Sequence, residues 1–316
     1  MLTDPRKIDQ VAEQSQQIEE DIFLSHIGEF YDQKMSIAMD LYDAAAEHTN
    51  NFRDIEKEDI REDPRIVRIL RYLVKPKISQ MKFGQFAGVN STNNYEEYTL
   101  AEASTPNHQI AQDLADFTAA NLDPEKVPWL SDPTIDEEEE IEYSRRWICD
   151  KIAEQEATTH YRNWRKDKQE QTVAETLDDA GYTDSGYSGK ISSTNDIPVG
   201  TYAEESKVAG ADVQKADFIV RPTEDTVIFI EAKAIGVRVD SHKRVKEIRN
   251  KASDWKNEFE GAETVAVIEG WTTGDKVRTM MDDDIAVYWE HRLEEDFHED
   301  LAEKLNQSQQ KVQNQS

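Results

Sequence analysis

The sequence predicts an α/β protein in which a helical N-terminal region precedes a mixed β-sheet flanked by helices. Two observations carry that prediction. Apolar residues recur at helical spacing through the first half of the chain, whereas from residue 215 short β-branched runs alternate with helical stretches. Between them lies a Gly-, Ser- and Asn-rich passage, TDSGYSGKISSTNDIPVGTYAEE.

Taken in order, PRKIDQVAEQSQQIEEDIF (5–23) and DQKMSIAMDLYDAAAEH (32–48) read as two helices with Asp4 and Asp32 as N-caps. DPRIVRILRYLV (63–74) is a compact helix capped by Asp63, with Pro64 in its first turn, and it stops before Pro76. KPKISQMKFGQFAGVNSTNNY (75–95) reads as a loop. A helix follows over about 107–121, then the Pro-marked linker DPEKVPWLSDPT (123–134) and a long helical segment from about 138. QEQTVAETLDDAGY (169–182) is helical and ends at Gly181, a good residue to follow a helix C-terminus. KADFIVRP (215–222) and TVIFIEAKA (226–234) are strands joined by TED as a tight hairpin. SHKRVKEIRNKASDWKNEF (241–259) is a helix with Ser241 as N-cap. Strands ETVAVIEGW (263–271) and IAVYWEH (285–291) flank the short helix DKVRTMM, and RLEEDFHEDLAEKL closes the fold. The expected organisation is a helical region over 1–135, a sheet core over 136–305 and a disordered polar tail over 306–316.

Composition narrows the setting. Sixty-six acidic residues face 37 Lys and Arg, a net charge of −29 spread along most of the chain. Apolar periodicity argues against disorder, so the acidic coat fits a salt-rich, haloarchaeal-type cytoplasm, where screening over a few Å tolerates it. One cysteine, Cys149, excludes an intrachain disulfide and a cysteine-built zinc site, and the seven histidines show no metal-ligand spacing. No apolar run approaches the ~20 residues of a membrane span, and MLTDPRKIDQ has no signal-peptide core, so no membrane partner is expected.

The chemistry concentrates on the hairpin. Asp217 opens one strand, and Glu231 and Lys233 close the next, two residues apart and so on one face. In a tight hairpin the start of the first strand lies beside the end of the second, which brings Asp217 to Glu231. Two carboxylates and a lysine at one sheet edge suit metal-assisted phosphodiester hydrolysis. The carboxylates of Asp217 and Glu231, with the carbonyl of Ala232, would hold Mg²⁺, with Mn²⁺ as a substitute. Lys233 would orient or help deprotonate the attacking water. Glu170, in register with Val173, Ala174 and Leu177, faces the sheet and is the upstream acid of choice. Lys243, Arg244, Lys246, Arg249 and Lys251 form the densest basic run of an acidic chain, which suggests a bound polyanion. Trp255 reads as packing that helix on the sheet.

The spacing D-x₁₃-E-A-K resembles the PD-(D/E)XK nuclease signature, with Ala216-Asp217 where the family name has Pro-Asp. IEAKAIGVRVDSHKRVKEIRNKASDW, AVIEGW and AVYWEHRLEEDF, with the approach PVGTYAEESKVAGADVQKADF, resemble more narrowly the XamI family of type II restriction endonucleases. The family's elements fall on Glu231, Lys233, Lys243, Arg244, Lys251, Trp255, Trp289 and His291. The likeness is good over about 160–300 and faint before it. It implies a Mg²⁺-dependent, sequence-specific endonuclease acting on double-stranded DNA as a two-fold homodimer, with a cognate methyltransferase as genetic rather than physical partner. The helical half would then serve recognition or dimerisation, with Lys75, Lys77 and Lys82 beside Phe83 and Phe86 as a DNA-contacting loop or, equally, a hinge. Two alternatives stay open: a nuclease of repair, junction resolution or mobile-element processing, and a non-cleaving DNA-binding protein on the same fold. A role for His291 in chemistry is also open.

Overall fold

The structure, a computed structural model, describes residues 2–132, 134–208 and 214–315, with side chains as far as 306. Residues 209–213, in the approach to the first long strand, and Ser316 lie outside the described residues. Two compact units account for the chain: Ile27–His160, and Met1–His26 together with Tyr161–Ser316. The division differs from the expected boundary at 135. Ile8, Val11 and Ala12 share a core with Val245, Ile248 and Trp289, whereas Ile148, Cys149 and Ile152 share one with Leu41, Leu70 and Leu114. Composition marks where an apolar stripe is, not which partner it meets.

The two helices expected over 5–48 are one, α1 (Pro5–His48). Gly28 sits in open space and lowers helix propensity by only about 1 kcal/mol, too little to break a helix that buries Phe30 and Leu41. Asp32 is therefore mid-helix rather than a cap, while Asp4 does accept from Arg6 N–H at 2.9 Å. α2 (Lys57–Glu62) leads to a 3₁₀ turn, Pro64–Ile66, and α3 (Val67–Leu73), with Asp63 accepting from Arg65 N–H at 3.1 Å. The stretch expected as a loop over 75–95 contains α4 (Gln80–Phe86), whose N-cap Ser79 accepts from Lys82 N–H at 3.2 Å. Buried Glu96 takes Arg71 Nη2 at 2.7 Å, Gln80 Nε2 at 3.1 Å and the Thr92 hydroxyl, and so ties this segment to α3. Gly84 is required there, because a Cβ would lie 2.7 Å from the Ser91 backbone. α5 (His108–Asn121) starts at Asn107, and α6 (Glu137–Asp179) is continuous through the two segments read separately.

The sheet unit is α/β as predicted. The Gly/Ser/Asn-rich passage hides three strands too short to show a period, β1 (Thr183–Asp184), β2 (Lys190–Ile191) and β3 (Thr201–Glu204), and a fourth, β4 (Lys207–Val208), follows directly after it. β5 (Phe218–Arg221), β6 (Val227–Ile235), α7 (Ser241–Glu258), β7 (Ala262–Gly270), α8 (Gly274–Asp282), β8 (Ile285–Trp289) and α9 (His298–Gln315) complete the unit. Six strands form one sheet in the order β1-β3-β5-β6-β7-β8, and β2 pairs β4 separately. β3, β5 and β6 run antiparallel, while β6, β7 and β8 run parallel. Alternation sends Ile228 and Ile230 toward Val173 and Leu177 of α6, and Phe229 toward Trp255 of α7. Ser241 is the first helical residue rather than the cap. Asp240 holds the cap position without a side-chain bond. Among the described residues no helix is long and apolar enough to cross a membrane.

Trp255 is 1% exposed and stacks on Phe229 with ring centres 5.1 Å apart. Trp255→Ala is expected to lower unfolding free energy by about 3–5 kcal/mol, read from the denaturant midpoint, with Trp255→Phe losing much less. Cys149 is fully buried, and burial pushes its thiol up to about 12. A thiol-disulfide reagent at pH 8 should leave it unmodified in the native protein and react only as the helical unit unfolds.

Candidate active site

The site grows from strand pairing. Phe218 stands opposite Ile230 and Ile219 opposite Phe229, so the next step of the ladder sets Asp217 beside Glu231. The Ala232 N–H donates to Asp217 Oδ2 at 2.8 Å and locks that carboxylate. Lys233 Nζ lies 2.6 Å from Glu231 Oε1, 3.3 Å from Asp217 Oδ2 and 3.0 Å from the Ala232 carbonyl. Three oxygens from the two expected carboxylates and the expected carbonyl thus converge on one ammonium.

Glu231 is 0% exposed, and an unpaired carboxylate there would be costly. A second lysine completes its shell. Lys251, on α7, donates to both Glu231 oxygens at 2.7 Å and to the Lys215 carbonyl at 2.7 Å. Burial, and then the charge of Asp217, push the Glu231 carboxyl above its usual range against the pull of the two lysines. Burial works to lower the Lys233 pKa, but Glu231 and Asp217 outweigh it and hold the group above the ordinary lysine range. Lys233 is therefore a charged donor in this arrangement.

Glu170 reaches the same end of the sheet from α6. Its Oε2 pairs with Lys166 Nζ at 3.0 Å, which also meets Glu205 Oε1 at 3.2 Å, and Lys215 meets Glu205 Oε2 at 2.6 Å. Burial pushes the Glu170 carboxyl up, and the nearby charge of Asp217 adds to it. Its Oε1 is buried with no hydrogen-bond partner. Among the described residues no group of three or more His, Cys, Asp and Glu is arranged to hold a metal ion. The donor set that does converge is two carboxylates and a carbonyl, already gathered around a cation, with the unpartnered Glu170 oxygen nearby. That chemistry fits a hard, oxygen-seeking metal.

The basic run on α7 divides between faces. At about 100° per residue, Lys246 and Arg249 lie roughly 140–160° around the helix from Lys251. They line a separate groove of about 870 Å³ with Lys256 and Lys276, where Arg249 pairs with Asp283. Lys243 and Arg244 are near Glu247, at 3.9 and 2.9 Å. In the helical unit, Lys75 pairs with Asp123 and Glu125, and Lys77 lies 4.2 Å above the Tyr72 ring. Lys82 lies over Phe86, while Phe83 is core rather than surface. His291 meets none of the hairpin residues. Its Nδ1 lies 2.8 Å from buried Glu269 of β7, which also takes the Ser15 hydroxyl. Lys251 as partner of Glu231, and Glu269 itself, escaped the sequence reading. The signal for Lys251 was its spacing from buried Ile248 (i−3) and Trp255 (i+4), which sets it on the sheet-facing side.

A family model for XamI restriction endonuclease matches residues 50–289, which is 240 of the 316 residues. The chain belongs to the XamI restriction endonuclease family. It is thereby a nuclease, a hydrolase whose substrate is DNA. The match takes in the whole hairpin, Glu170 and Lys251, and reaches well into the helical unit, further than the resemblance read from motifs. His291 and the whole of α1 fall outside it. No curated protein and no solved structure matches the chain.

Lys251→Met leaves a fully buried carboxylate with one cation instead of two. The expected loss is up to about 3 kcal/mol in the denaturant midpoint. Adding Glu231→Gln to the same chain is expected to recover most of it, because the neutral amide no longer needs the second ammonium.

Proposed function

We propose that this XamI-family chain is a Mg²⁺-dependent type II endonuclease that cuts double-stranded DNA at a specific sequence. The observation that carries the reading is the convergence of Asp217 Oδ2, Glu231 Oε1 and Ala232 O on a single cation, the Lys233 ammonium. In this reading the same three oxygens hold Mg²⁺, or Mn²⁺ in its place. A metal held there would supply polarisation of a phosphoryl oxygen and a lowered pKa for a bound water.

The protein's own groups do the rest. Lys233, charged and next to the ligands, donates to the oxygen on which negative charge builds as phosphorus becomes five-coordinate. Glu170, with its unpartnered Oε1, supplies an acceptor for the proton of the attacking water. Hydrolysis joins the water oxygen to phosphorus and breaks one P–O ester bond, and the departing oxygen takes up a proton. Lys251 keeps Glu231 ionised and oriented, a positioning role in place of the DNA contact expected from composition. Lys243 and Arg244, a few residues beyond the strand end, are the phosphate contacts nearest the site. Lys246 and Arg249, on the far side of α7, would meet DNA only away from the cut, and Lys75, Lys77 and Lys82 would add contacts from the helical unit. Two-fold symmetry of a palindromic duplex favours a homodimer, and a cognate methyltransferase would protect the host genome. The net charge of −29 supports work in a salt-rich cytoplasm, where phosphate attraction is weak and base contacts carry more of the affinity.

The test is incubation with mixed plasmid and phage DNA, Mg²⁺ and KCl from low to molar, beside Lys233→Ala. Discrete fragments are expected, persisting at molar KCl, with the variant slower by about 10²-fold or more. Intact DNA at every salt, or cleavage unchanged in Lys233→Ala, would sink the reading.

A further inference from the structure

The strand that carries Glu231 and Lys233 runs into a short turn, residues 236–240, before α7 begins. Its surface chemistry is unusual for this chain. Val239 is 85% exposed, more than any other large hydrophobic among the described residues, and Val237 is 47% exposed. Arg238, between them, is exposed too, and among the described residues its side chain has no hydrogen-bond or ion-pair partner. Glu19, lining the cleft beneath the turn, is already engaged by Tyr161 and Arg165. A free guanidinium between two exposed β-branched side chains, in a protein of net charge −29, has no role in folding that its contacts reveal.

The turn is held firmly. Asp240 N–H donates to Val237 O at 3.1 Å and Ser241 N–H to Arg238 O at 3.3 Å, so the turn is closed by the start of α7. At its base Trp271 N–H donates to Ile235 O at 2.8 Å, and Gly270, at φ +92°, lets β7 pass so close that a Cβ would collide with that carbonyl. Arg238 lies five positions after Lys233, a span of at most about 18 Å. At 3.4 Å per step along each strand, that is at most about five base pairs from a phosphate held at Lys233.

We propose that Val237, Arg238 and Val239 form a specificity element that reads base edges beside the cut. It rests on the endonuclease reading above and deepens it. Arg238 donates in a fork to a paired acceptor edge such as guanine O6 and N7, and the valines pack on apolar base surface such as a thymine methyl. A phosphate contact would use the charge but leave the valines facing water, whereas a groove floor offers acceptors and apolar surface side by side.

The experiment cleaves a randomised double-stranded library in Mg²⁺ and sequences the cut ends, comparing the full-length protein with Arg238→Lys, Arg238→Ala and Val239→Asp. These positions are exposed, so melting temperatures should stay within a few degrees. Arg238→Lys, which keeps the charge and loses the fork, is expected to keep cutting while preference at one or two base pairs falls about tenfold or more. If it cuts nothing, selection of bound duplexes from the same library with Ca²⁺ in place of Mg²⁺ reads the same preference. A slower rate with unchanged preference would mean a phosphate contact and overturn the proposal. Variants identical to the parent would overturn it as well. A change in sedimentation by Val239→Asp, with base preference intact, would assign the surface to a second copy of the chain instead. A parent protein that leaves the library intact would remove the endonuclease reading and this inference with it.

Discussion

The sheet unit is organised around one constraint, a carboxylate with no access to water in the middle of a six-stranded sheet. Glu231 pairs with Ala266 of β7 and stands one residue beyond the last β5 pair, Phe218–Ile230, with its side chain fully buried. Two ammonium groups from different elements offset the cost of burying its charge, Lys233 along the same strand and Lys251 across from α7. That requirement fixes much else. α7 must lie on the Phe229 face with Trp255 wedged against the strand, and the hairpin must keep its register so that Asp217 shares Lys233. A slip of one residue would turn Glu231 and Lys233 to the opposite face. Stability and the candidate chemistry therefore depend on the same few contacts.

The two sides of α7 divide the work of a basic helix. Toward the sheet, Lys251 neutralises a buried acid; away from it, Lys246, Arg249 and Lys256 border an open groove whose charge is partly answered by Asp283 and Asp284. A count of lysines and arginines sees one patch where the helix makes two. The same holds for Arg165, which bridges Glu19 and Glu290 in the interior and leaves no charge to present outside.

How much of this was legible follows from the range of the signals. The β5–β6 hairpin, the strands β7 and β8 and the helix α7 carry local periodicity, and the spacing of Asp217, Glu231 and Lys233 survives into space because a tight hairpin leaves little freedom. The short strands β1 to β4 are defined by their partners rather than by their residues, so composition describes only a polar passage. Asp32 reads as the start of a second helix because local rules count capping, whereas the burial of Phe30, Ala38 and Leu41 decides. Buried Glu269 was illegible in kind, since its hydroxyl and imidazole partners, Ser15 and His291, come from opposite ends of the chain.

The sheet unit is discontinuous, with Met1–His26 joined to Tyr161–Ser316 and the helical unit inserted between. On a ribosome this imposes an order of events. The helical unit is contiguous and can complete its core as soon as residue 160 has emerged. Ile8, Val11 and Ala12 are made before the helical unit yet must wait for Ile268 and Trp289, which share their core. At about 5–20 residues per second, that wait lasts roughly 15–55 s. During it, that apolar stripe has no native partner. The hairpin that bears Asp217 and Glu231 is likewise translated well before β8, so the nuclease core closes only after residue 289 has emerged.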